Sequence, residues 1–142
     1  MGFGRVPFTS RGQGMPQPLG PGDGMVSNFR PKEFSAEIDA DLSVADVSGG
    51  YIHQGVTLTS DVIYTLPDAF ELAAAWPGMD VGDAFAFVVT NAQAGAFDVV
   101  IAVNTNITAI GANNSLSVPP QSSRIFVLLN RLAAGVPTFV LF

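Results

Sequence analysis

Histidine occurs once in this 142-residue sequence, at His53, inside the strand-like stretch "YIHQ" and two residues after Tyr51. It is the one side chain whose ordinary pKa suits it to general acid–base work near neutral pH. A Ser-His-Asp triad would have to use it, yet no nucleophile-elbow sequence accompanies it, and a metal site would need carboxylate partners whose place the sequence does not give. His53 reads as a structural histidine. Asp39 and Asp41 resemble part of a calcium loop, but no glycine and no distal glutamate follow at the required spacing, so they read as a solvated acidic edge. Asp80 and Asp83 flank "VGD", where carboxylates accept hydrogen bonds from turn amides; a carboxylate pair for glycoside hydrolysis is the weaker alternative.

Trp76, Tyr51 and Tyr64 could line a sugar site, although a tryptophan that ends a helix beside Pro77-Gly78 reads first as a core plug. The sequence has no cysteine, which removes disulfides, thiol nucleophiles and cysteine zinc sites and favours a reducing compartment. The glycine-rich opening lacks a phosphate-loop lysine and follows no strand. "NIT" (106–108) and "NNS" (113–115) match glycosylation acceptors, which stay unused in a chain that is not secreted; "MGFGRVPF" has no signal-peptide core. The expectation is a protein without catalytic residues, metal or cofactor.

Composition says what such a chain would do instead. Hydrophobic residues make up 48% and charged residues 13%, against about a quarter charged in an average soluble chain, and mean hydropathy is +0.37. The longest apolar runs, "FAFVV" (85–89), "VVIAV" (99–103) and "IFVLL" (125–129), have strand length, far from the ~18–20 residues of a membrane span. A protein interface is the remaining place for the surplus apolar surface.

Charge is divided along the chain. Through Lys32 there are four cations (Arg5, Arg11, Arg30, Lys32) and one acid (Asp23), a balance of +3; from Glu33 onward two cations (Arg124, Arg131) face eleven acids, a balance of −9. A basic segment on an acidic body is the pattern of an interaction tail. Nucleic acid is not its expected partner, because four cations over 32 residues are sparse and phosphates would repel the body.

Seven of the fifteen glycines and five of the ten prolines precede residue 32, which favours extended or irregular backbone. Phe3, Phe8, Met15, Leu19, Met25 and Phe29 stand along it as isolated apolar pegs. It reads either as a leader without fixed structure or as an arm that binds a partner. Ordering some 25 residues costs on the order of 25 kcal/mol, which a small domain alone cannot offset, so the binding arm is the reading adopted. Residues 1–34 form the arm and residues 35–142 the domain.

Within the domain, "FSAEIDADLSVADVSGG" alternates as one or two edge strands or a linker, closed at Gly49-Gly50. "YIHQGVTLTSDVIYTL" gives two β-rich pieces divided near Gly55. "LPDAFELAAAWPGM" is the one convincing helix, about nine residues long, with Pro67 at its first position and Phe70, Ala73 and Ala74 sharing a face. Strands follow at "DAFAFVVTN" (83–91), turned by "AQAG" into "AFDVVIAVN" (96–104), then at "ITAIG" (107–111), "SLSVPP", "SSRIFVLLN" (122–130) and "TFVLF" (138–142). This spacing of short strands and turns indicates an all-β fold, a β-sandwich or jelly-roll-like barrel. The terminal Phe139, Leu141 and Phe142 must be covered, either inside the domain or at an oligomer seam.

These features also form a pattern. A "TLP" opening, an alanine-rich helix ending in "PG", the "VGDAFAFVVTN" entry to a strand, the "NTNITAIG" strand end, the "SVPPQSS" turn and two final strands span residues 64–142. That run resembles a β-rich module of virion proteins in tailed bacteriophages and some large viruses. The resemblance implies a capsid decoration (cement) protein, commonly a homotrimer on the outer capsid surface, made in the host cytoplasm and bound to the major capsid protein. In that reading Phe3, Arg5, Phe8, Arg11, Met15, Leu19, Met25, Phe29, Arg30 and Lys32 contact the shell. A tail or head-fibre component and a glycan-binding module are the alternatives.

Overall fold

The structure, a computed structural model, describes residues 30–111, 116–131 and 135–142. Its fold is mainly β. The strands are β1 (Lys32–Phe34), β2 (Ala40–Asp41), β3 (Tyr51–Gln54), β4 (Val62–Thr65), β5 (Ala84–Asn91), β6 (Val99–Ala102), β7 (Ile107–Ala109), β8 (Ser117–Val118), β9 (Ser122–Asn130) and β10 (Phe139–Leu141). Two helices accompany them, α1 (Val44–Ser48) and α2 (Ala69–Ala75).

The strands form a six-stranded sheet in the order β1-β3-β5-β9-β10-β7 and a four-stranded sheet in the order β2-β4-β6-β8. From β1 to β8 the chain changes sheet at every strand. Up to β6, two successive strands of one sheet are therefore linked through a strand of the other, and the chain re-enters that sheet in its original direction. The second sheet supplies the crossover that parallel pairing requires. Hence β1, β3 and β5 pair in parallel, as do β2, β4 and β6. Only β5–β9, β9–β10 and β6–β8 are antiparallel among the described pairings. The "AQAG" segment accordingly carries the chain from one sheet to the other instead of closing a hairpin between β5 and β6.

Alternation along the strands puts Ile52, Phe87, Val89, Phe126, Leu128, Phe139 and Leu141 of the larger sheet into one buried cluster with Val62, Tyr64, Val99, Ile101 and Val118 of the smaller. Phe87 and Phe126 face each other in register, with ring centroids 5.6 Å apart. Phe34 stacks on Tyr64 at 4.1 Å, so β1 touches the strand of the opposite sheet.

Two expectations are corrected here. The segment before Gly49 is helical as well as extended, giving two helices among the described residues where one was expected. The cause is a local capping box: Ser43 Oγ accepts the Asp46 amide at 3.1 Å, and Asp46 Oδ2 accepts the Ser43 amide at 2.9 Å, which satisfies two end groups of a very short helix. The later helix runs seven residues, capped by Asp68 with Pro67 outside it, and it buries Ala69 and Leu72 while Phe70 stands 50% exposed.

Candidate functional site

Most of the side chains that could do chemistry make structural bonds. Tyr64 is fully buried, and its hydroxyl accepts a 2.7 Å hydrogen bond from Gln54 Nε2; burial pushes its pKa up to about 12. Asp39 Oδ1 accepts the Ile63 amide, and Asp83 Oδ2 accepts the Asp80 amide, each at 2.8 Å, the turn bonding that the sequence suggested for the latter pair. Trp76 Nε1 donates to Ser48 Oγ at 3.1 Å and joins the two helices. His53 is half-buried on β3 with Nδ1 3.2 Å from Glu33 Oε1. Among the described residues no three His, Cys, Asp or Glu side chains converge on a possible metal position, and no helix is long and apolar enough to cross a membrane.

The outer face of the six-stranded sheet gathers uncharged side chains in register. Side chains alternate between faces along a strand, so the residues between the buried ones point away from the core. Register then sorts them into rows. Ala84, Leu129, Val140 and Thr108 form one row; Tyr51, Val88 and Ile125 form another. Between them lie Ala86 and Val127, with Phe142, which exchanges both backbone hydrogen bonds with Val127, and Ile110, whose amide bonds to the Leu141 carbonyl. Not one of these eleven side chains is charged. Ile125 is 66% exposed, Ile110 52% and Phe142 48%.

A polar row closes one end of this face. Glu33, His53, Thr90 and Ser123 are successive register partners, and the Thr90 and Ser123 hydroxyls are 2.7 Å apart. In an antiparallel sheet with one wet side, outward positions are usually polar. Here apolar side chains fill both faces over residues 84–89 of β5 and 125–129 of β9. The sequence signal for this was the unbroken character of "FAFVV" and "IFVLL", which simple alternation could not produce.

The sequence-derived site residues divide into three groups. Phe3, Arg5, Phe8, Arg11, Met15, Leu19, Met25 and Phe29 lie outside the described residues. Arg30 and Lys32, assigned to the arm by sequence, belong to the body: the Arg30 amide donates to the Gly49 carbonyl at 2.9 Å, and Lys32, in β1, sits 3.7 Å from Asp46 and 5.3 Å from the Phe34 ring centre. Phe139 and Leu141 are buried in the chain's own core, at 2% and 0% exposure, whereas Phe142 keeps its outward surface. Of the three terminal residues considered for a seam, Phe142 alone has area left for a partner, because β10 alternates and its neighbours point inward. Tyr51 and Tyr64 lie on opposite faces of their sheets and do not form a sugar-binding pair with Trp76.

Comparison of the chain with protein-family models, with curated proteins and with solved structures finds no match.

Proposed function

We propose that this is a structural assembly protein that self-associates through the outer face of its six-stranded sheet. The uncharged row arrangement around Ile125 carries this reading. The chain has a net charge of −6, so two copies repel over most approaches; the eleven side chains of this face bring together no like charges. Covering a side chain as exposed as Ile125 contributes roughly 1–2 kcal/mol, and several such residues on each copy together offset the cost of association.

The setting we propose is a virion shell, with the protein as a capsid decoration component, commonly a trimer, bound to the major capsid protein. The resemblance over residues 64–142 supports that setting. The basic, glycine- and proline-rich residues before β1 supply arms, and three arms on one trimer would add weak contacts through high effective concentration. We read the two sheets as layers of a sandwich, since one buried cluster draws on both; the five parallel pairings distinguish it from an antiparallel jelly roll.

Sedimentation at micromolar concentration tests the central claim. The wild-type chain is expected to sediment as an oligomer and Ile125→Glu as a smaller species. As a control, Ile63→Glu, on the outer face of the other sheet, keeps the wild-type state. A wild-type monomer would refute self-association. Capsid binding by the oligomer, lost on deleting residues 1–29, tests the shell setting separately.

A further inference from the structure

Adjoining the apolar face at Ala84, one end of the molecule carries three neighbouring cavities of about 410, 400 and 250 Å³. The first two share Phe85, and the first and third share Trp76 and Met79, so together they make a groove floored by aromatic and thioether side chains. Trp76 and Phe85 pack with ring centroids 4.8 Å apart. The outer wall is held by Asn130, whose Nδ2 donates to the carbonyls of Met79 and Asp80. Asp83 lines the first cavity and Asp80 the third. Arg30 lines the second.

Arg30 decides what can reach this groove. Its amide is fixed to the Gly49 carbonyl, and a Cβ on Gly49 would run into the Arg30 carbonyl oxygen, so the backbone is pressed against the rim at the point where the 29 preceding residues begin. Those residues include Met15-Pro16-Gln17-Pro18-Leu19-Gly20-Pro21-Gly22. Pro18 and Pro21 have the P-x-x-P spacing of a polyproline II segment, the peptide conformation that docks on aromatic-lined grooves with little ordering cost. The stretch from Gly22 to Arg30 reaches up to roughly 27 Å, enough to return over Phe85 to Trp76. Arg11, on the N-terminal side of the run, matches the acidic end of the groove at Asp80 and Asp83.

We propose that the Trp76–Phe85 groove is the seat of the chain's own proline-rich segment, residues 15–22. The tether at Arg30 holds that segment at high effective concentration, so it occupies its own groove ahead of any second copy. Docked there, it covers the faces of Trp76 and Phe85 and leaves the first ten residues for a partner. This inference goes beyond the assembly reading and does not rest on it.

Trp76 is the sole tryptophan, so fluorescence excited selectively at tryptophan, beyond the absorption of Tyr51 and Tyr64, reports on the groove. In the full chain, Pro18→Ser with Pro21→Ser is expected to raise the acrylamide quenching constant of Trp76 roughly twofold or more, as a covered ring opens to solvent; added peptide 15–22 reverses the change. Arg11→Glu moves quenching in the same direction by less. Equal quenching in wild type and double variant would overturn the proposal. Wild-type quenching that falls as protein concentration rises would also overturn it, because a second copy's segment would then be the occupant. Quenching independent of concentration, with the expected rise in the variant, supports it whatever the oligomeric state.

Discussion

The side-chain amide of Gln54, on β3, donates a 2.7 Å hydrogen bond to the phenolic oxygen of Tyr64, on β4. The bond crosses from one sheet to the other inside the core. Gln54 is otherwise used in full: its amide nitrogen also reaches the Ala36 carbonyl at 3.2 Å, and its oxygen accepts the Val56 amide at 2.7 Å. One buried glutamine thus pins the segment after β1, the segment after β3 and the opposite sheet.

Tyr64→Phe is expected to cost about 1–2 kcal/mol, the penalty for an underbonded buried amide. It should also change the alkaline limb of stability. Burial raises the phenol from its ordinary value of 10 to about 12, so the unfolded chain loses this proton first. The contribution is complete below pH 10 and is lost as pH rises through 12, to a total of about 2–3 kcal/mol. Thermal melts between pH 8 and 12 should show a shallower decline in Tyr64→Phe than in wild type; parallel curves would contradict this account.

Glu37 gathers the turn at Thr59 and Ser60. Its carboxylate accepts both amides, at 2.7 and 2.8 Å, and both hydroxyls. The Thr59 amide is the largest influence holding its pKa below 4.5, against an opposing desolvation effect. The stabilisation is present above the unfolded value and disappears as pH falls through the lower folded one. An NMR titration should place the Glu37 midpoint below 4.5, and Thr59→Ala should raise it. A midpoint at or above 4.5 would show that the turn is open.

Ser43 tests the capping box. Ser43→Ala removes the acceptor for the Asp46 amide and should lower stability by about 1 kcal/mol, whereas Ser43→Asp retains most of it. Chemical denaturation of the three proteins reads this difference. Equal stability of all three would mean that α1 is held by the burial of Val47 alone.

Gly49 governs the attachment of β1. Its φ of −65° is open to any residue, so the constraint is the close approach of the Arg30 carbonyl and not backbone strain. Gly49→Ala must push that carbonyl away, weakening the β1–β3 pairing and the Phe34–Tyr64 stack. Limited proteolysis should then cut near residues 30–34 faster than in wild type, while the core strands stay protected. Unchanged cleavage would mean that the backbone absorbs the methyl group.

The segments that chain-local physics controls were legible before folding is considered. β9 covers residues 122–130 in both descriptions, and β3 and β4 divide on either side of Gly55, because runs of β-branched and aromatic residues bounded by turn residues define strands locally. α1 also had a local signal, the Ser43-x-x-Asp46 box, hidden by an alternating pattern that fits a short strand equally well. The eleven uncharged outer-face residues were legible only as a surplus: hydropathy announced surface in need of a partner but not its position.

Sequence alone located most of the strands to within a few residues, the division of charge at residue 33, and the excess of apolar side chains over what one small core can hold. Tertiary structure decided which sheet each strand joins, that most pairings are parallel, that Phe139 and Leu141 face inward while Ile125 and Phe142 face out, and that Lys32 belongs to the body. A period of two tells that a strand has two faces. Which face meets the core depends on partners tens of residues away, and that choice is made when the sheets pack.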